Sequence, residues 1–160
     1  MADVQLSKNF YLSELLISNT ATRLGIENTP TEQHLKNLKE ATTNLWQPTR
    51  DLIGHPMSVS SGYRNPRVNS AVGGEKASAH PEGFAIDFIS PGFGTPKEIA
   101  LFLVKEYRTK GIKFDQIIFE FGRWIHLGYK HPKTHAQRGQ VLTAKKVNGK
   151  TVYINGIVNV

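Results

Sequence analysis

Residues 29–54, TPTEQHLKNLKEATTNLWQPTRDLIG, carry Leu35, Leu38, Thr42, Leu45, Thr49 and Leu52 at three- and four-residue steps. That spacing gives a helix one mostly apolar face. Thr29, Pro30 and Glu32 supply a capping-box start with proline at the first helical position. Pro48 should kink this helix or split it in two, and Gly54 closes it. The same start signal returns at Thr95, Pro96 and Glu98, opening an apolar helix that ends near Gly111. A shorter amphipathic segment lies around Phe10 to Leu16.

Between and after these helices the pattern changes to short runs rich in β-branched and aromatic residues: MSVSSGY, FAIDFI, FDQIIFEF and WIHLGY. After Asn65-Pro66 a short helical turn should end at Gly73 and Gly74. Beyond a loop from Lys130 to Gln140, VLTAKKV and KTVYINGIV are joined through Asn148-Gly149, a strong two-residue hairpin signal. The pattern predicts an α+β fold in which helices pack against a small antiparallel sheet. The hairpin should join that sheet, because an isolated ribbon is only marginally stable. The 160 residues suit a single domain, with a core over 1–130 and the loop and C-terminal hairpin over 131–160.

Composition narrows the chemistry. The absence of cysteine excludes disulfides, thiolate catalysis and cysteine-ligated metals, so any metal must be held by His, Asp or Glu. No apolar run is long enough to span a membrane. The opening MADVQLSKNF has no basic segment followed by an apolar stretch, so a secretory signal is not expected. A net charge of +7 favours an anionic partner. The basic residues do not form a stripe interleaved with aromatics, so nucleic acid is not the expected partner.

In FAIDFI, Asp87 shares a strand face with Ala85 and Ile89, where an ionised carboxylate needs a cationic partner. A buried salt bridge would satisfy it. So would a metal, since the turn Pro81-Glu82-Gly83 can bring His80 back beside Asp87, and His126 lies mid-strand in WIHLGY. Two imidazoles and one carboxylate leave a fourth position open, the pattern of catalytic zinc. His131 and His135 have an HxxxH spacing, but Pro132 makes that stretch a loop, and His34 and His55 read as surface and turn residues.

Ser-Gly-Tyr-Arg at 61–64, SAHPEGFAIDF at 78–88 and Trp124-Ile125-His126 together resemble peptidase family M15, the zinc D-Ala-D-Ala carboxypeptidases and related phage endolysins. The flanks LSKNFYLSEL and NTP extend the resemblance, which looks closest to the phage-type subgroup. It implies a hedgehog/D-Ala-D-Ala peptidase-like fold and one zinc ion on His80, Asp87 and His126. It also implies that Arg64 polarises the scissile carbonyl or holds a substrate carboxylate.

The base is less direct. Many members of the family carry Asp or Glu three residues before the last histidine, where this chain has Arg123. Glu120 is the nearest acid upstream. A three-residue loop, Phe121 to Arg123, pairs Glu120 with Trp124 and puts both on the His126 face, whereas a two-residue Gly122-Arg123 loop turns Glu120 away. We expect the three-residue loop, with Gly122 left-handed and Glu120 as the base. Glu82 and Asp115 are alternatives, and Glu120 could instead merely fix a ligand histidine. Ser78 could touch substrate or hold its loop, and Tyr63 and Trp124 could line the cleft. Gly83 and Gly128 should allow close backbone approach around the metal.

The expected function is zinc-dependent cleavage of bacterial peptidoglycan stem peptides by a monomer. An L-alanyl-D-glutamate endopeptidase is favoured and a D-Ala-D-Ala carboxypeptidase remains open. Such an enzyme would wait in the host cytoplasm before release to the wall, or travel in a virion. Two further readings are a wall-binding or virion module that has lost turnover, and a metal-free domain with incidental histidines.

Overall fold

A computed structural model describes residues 3–73 and 78–160. The expected N-terminal segment is helical only over α1, Leu12–Leu15, and a second short helix follows, α2, Asn19–Leu24, which Ser18 caps at Ala21 N. The next helix, α3, spans Glu32–Ala41 and starts two residues later than Thr29-Pro30 implied. Asn28 is the reason. Its side chain donates to the carbonyls of Leu16 and Tyr63, so the chain is pinned there and runs on to Thr31, whose hydroxyl caps His34 N.

The helical backbone runs through Pro48 without a break. The turn before it, Thr42–Trp46, widens to a π-helix, in which Gln47 N–H reaches back to Thr42, and α4 continues over Gln47–Ile53 to a left-handed Gly54. The wider turn absorbs the clash that a proline ring makes with the preceding turn of an α-helix.

Strand β1, Ser58–Ser61, leads to α5, Pro66–Ala71, which Asn65 caps; Gly73 follows with φ 72°, and Gly74 lies outside the described residues. A 3₁₀ turn over His80–Glu82 precedes β2, Ala85–Ile89. Helix α6, Pro96–Lys110, has the full Thr95/Glu98 capping box and ends at left-handed Gly111. The remaining strands are β3, Gln116–Glu120; β4, Trp124–Gly128; β5, Gln140–Val147; and β6, Lys150–Asn155.

The fold is α+β. The six strands form one sheet in the order β1-β2-β4-β3-β5-β6, antiparallel except for the parallel pair β3–β5. The loop from Lys130 to Gln140 returns the chain so that β5 runs beside β3, and Asn148 and Gly149, both at positive φ, then turn it into β6. Register decides the two faces of the sheet. Ile86, Phe88, Ile117, Phe119, Ile125 and Leu127 share one face and are buried in the core with Leu38, Leu45, Trp46, Ile99 and Leu103. Asp87, His126, Ile118, Glu120 and Trp124 share the other.

Candidate metal centre

Asp87 and His126 are direct cross-strand partners on β2 and β4, so their side chains leave the sheet together. His80 arrives from the 3₁₀ turn, whose proline and left-handed Gly83 reverse the chain just before β2. Asp87 Oδ1 lies 3.2 Å from His80 Nε2 and 3.1 Å from His126 Nδ1. One ligand atom from each residue falls within 4.8 Å of the other two, and all three residues are buried.

The protonation pattern follows from the partners. His80 Nδ1 is 2.7 Å from the Gly62 carbonyl, which can only accept, so Nδ1 carries the hydrogen and Nε2 presents its lone pair to the cluster. Burial lowers the pKa of His80 despite Asp87. Burial works in the same sense on His126, but the Asp87 hydrogen bond and charge outweigh it and raise that pKa. For Asp87 burial favours the neutral acid, and the two imidazoles overcome it, holding the carboxyl well below its usual range.

Glu120 pairs with Trp124 across the three-residue turn Phe121 to Arg123, in which Phe121 and Gly122 are both left-handed. Its carboxylate therefore lies over the cluster face, 3.7 Å from His126 Nδ1. Burial, with only 19% of the side chain exposed, and the charge of Asp87 push this carboxyl up to about 7 against the pull of His126 and Arg64. The other acids are engaged elsewhere. Glu82 meets His34 at 3.5 Å, and Asp115, fully buried, takes a two-pronged hydrogen bond from Arg138.

Arg64 lies close enough to Asp87 and Glu120 for their charges to support its own, while burial opposes it. Its Nε and the Trp124 Nε1 are buried donors without a hydrogen-bonding partner among the described residues, although Trp124 Nε1 lies near enough to Glu120 to favour its charge. Ser78 Oγ accepts from His80 N at 3.2 Å, so it braces the turn that carries His80. Tyr63 is 1% exposed and its hydroxyl meets His34 Nδ1 at 3.0 Å, which puts it in the core beside the cluster. Gly83 makes its close approach to the His34 carbonyl of α3 and not to the cluster.

Two contributors carry no plain sequence signal, the Gly62 carbonyl and the Asn28 amide. Asn28 holds the loop bearing Arg64 through Tyr63 O and Asn65 N, and only its place in the NTP flank pointed to it. The donor set fits zinc: three N and O ligands, one of them anionic, gather around one point with a carboxylate alongside. A buried acid between two imidazoles is also a place where a cation relieves an otherwise costly arrangement.

A family model described as Peptidase M15 matches residues 8–128, a stretch that includes the three cluster residues, Arg64 and Glu120. No curated protein sequence matches the chain.

Proposed function

The chain belongs to the peptidase M15 family, and on that premise we propose that it is a zinc-dependent hydrolase of peptidoglycan stem peptides, cutting the L-Ala–D-Glu bond in preference to D-Ala–D-Ala. The observation that carries this reading is the cluster of His80, Asp87 and His126 with the Glu120 carboxylate 3.7 Å from its edge.

Zinc held by His80 Nε2, Asp87 Oδ1 and His126 Nδ1 would polarise the scissile carbonyl and acidify a water. The chain's own groups then divide the work. Glu120, whose carboxyl is pushed up to about 7, accepts a proton from the attacking water and returns it to the leaving amine. Arg64 and Trp124 offer buried donors to oxygen atoms of the substrate. The Gly62 carbonyl keeps His80 in the tautomer that leaves Nε2 free. Release from a host cytoplasm to the wall, or carriage in a virion, accords with this chemistry.

Arg123, exposed in the turn where the family often has an acid, favours a second reading, a wall-binding module without turnover. Mass analysis of muropeptides decides between them. With zinc the wild type should release the stem peptide from lactyl-L-Ala, and Glu120→Gln should retain one zinc while losing activity by about a thousandfold. Loss of terminal D-Ala instead would assign the carboxypeptidase. Wall binding without any product would sink the enzyme reading.

A further inference from the structure

The cluster face of the sheet does not end at β3. Paired residues share a face, and the register carries one row through Trp124, Glu120, Ala144 and Tyr153 and a second through His126, Ile118, Leu142 and Asn155. The hairpin strands β5 and β6 therefore continue the wall from which Glu120 projects. Two interstrand spacings put Tyr153 about 10 Å along the sheet from Glu120. Tyr153 is 52% exposed there. Past it on the same face, Lys146 pairs with Thr151, and its Nζ stands 5.7 Å from the ring of Phe121 in the catalytic turn.

The charge of the chain is gathered on the same segment. Six of the twenty Lys and Arg residues, and none of the thirteen Asp and Glu, lie after residue 128, so this segment holds +6 of the total +7. The residues matched by the family model, 8–128, stop before it. Lys130 and Arg138 are engaged by Glu40 and Asp115. Lys145, Lys146 and Lys150 surround the hairpin turn, Lys146 on the cluster face and Lys145 and Lys150 on the opposite one, and none meets a carboxylate within ion-pair distance among the described residues.

We propose that the β5–β6 hairpin is a docking strip for the peptidoglycan strand being cut. Lys146 takes a carboxylate of its stem peptides on the cluster face with Tyr153 offering an apolar contact there, and Lys145 and Lys150, on the opposite face of the ribbon close to its turn, reach carboxylates that pass around its tip. The inference rests on the wall-hydrolase reading for its choice of polymer. Continuity decides the occupant, because a strand whose stem peptide enters at Glu120 leaves the cleft across the same sheet face. Its carboxylates recur along the polymer and complement a cationic strip.

The test compares two triple variants of equal charge change, both in a Glu120→Gln background so that nothing is digested. One is K145A/K146A/K150A. The other is K8A/K36A/K39A, at exposed lysines elsewhere on the chain. Binding to purified sacculi stripped of phosphodiester polymers should fall about tenfold for the hairpin variant and little for the control, and salt should weaken the wild-type interaction. Circular dichroism checks that both variants fold. Equal losses in the two variants, or none in the hairpin variant, would overturn the proposal. So would binding that vanishes when the phosphodiester polymers are removed, or a hairpin variant that loses only duplex DNA or anionic vesicles. Digestion of a soluble muropeptide by the otherwise native chain is measured separately. Its failure with lysine-dependent sacculus binding intact would reject the hydrolase reading and keep the docking strip.

Discussion

His80 depends on a residue with no side chain. Gly62 supplies the carbonyl that fixes its tautomer, and a Cβ at this position would lie 2.4 Å from the Leu15 carbonyl oxygen, a backbone atom that cannot swing aside. Gly62→Ala must therefore displace the very carbonyl on which His80 relies. We expect a loss of about 1–3 kcal/mol in stability from the overpacking. Zinc affinity should fall about tenfold with the orienting bond disturbed. Denaturant unfolding and metal titration check the two separately, and unchanged zinc affinity in a destabilised protein would reject the orienting role. Replacing a proposed ligand is a cleaner test. His126→Ala should purify without stoichiometric zinc by elemental analysis, since two remaining ligands do not make a closed site. At this scale the sequence was most legible where side chains form the cluster. His80, Asp87 and His126 could be named from motif and strand parity, whereas a main-chain acceptor such as Gly62 O leaves no residue-type signature.

Elements were legible to the extent that their ends are written in side chains. The Thr95/Glu98 box, Gly111 and Asn148-Gly149 each fixed a boundary, because a cap or a left-handed turn restricts which residues can occupy it. The late start of α3 was hidden, since it depends on Asn28 reaching across to Leu16 and Tyr63. So was the π-turn before Pro48, which the apolar period alone cannot distinguish from an α-turn. The loop from Lys130 to Gln140 shows what a long connection needs in order to hold a sheet together. Arg138 gives two side-chain hydrogen bonds and its backbone N–H to buried Asp115, and Gln140 N bonds the Asp115 carbonyl where β5 begins. Removing the guanidinium would leave a buried carboxylate with too few donors. Arg138→Ala should lower stability by about 2–4 kcal/mol, and Arg138→Lys, which cannot form the fork, should fall between it and wild type. Urea unfolding measures both, and a change below about 0.5 kcal/mol in the alanine variant would mean that water replaces the fork.

At the scale of the molecule, the pattern gave the α+β class and the hairpin but not its neighbour. Alternation identifies a strand and its faces; it says nothing of whether the next strand lies parallel or antiparallel beside it. The parallel β3–β5 pair bears on stability, because it makes β3 an interior strand. Thr143 and Ala144 of β5 are fully buried, Phe121 N–H in the turn after Glu120 bonds the Ala144 carbonyl, and Arg138 in the preceding loop neutralises Asp115. A chain ended after Lys130 keeps every proposed metal ligand and Glu120, yet it opens the β3 edge and strands the Asp115 charge. Those losses amount to several kcal/mol, a large share of the roughly 5–15 kcal/mol that holds a domain folded. The shortened chain should therefore aggregate or show no cooperative urea transition by Trp fluorescence, and it should not retain zinc. A transition at the wild-type midpoint would make the hairpin an appendage, left with the proposed docking alone, and the turn after Glu120 would then stand without β5.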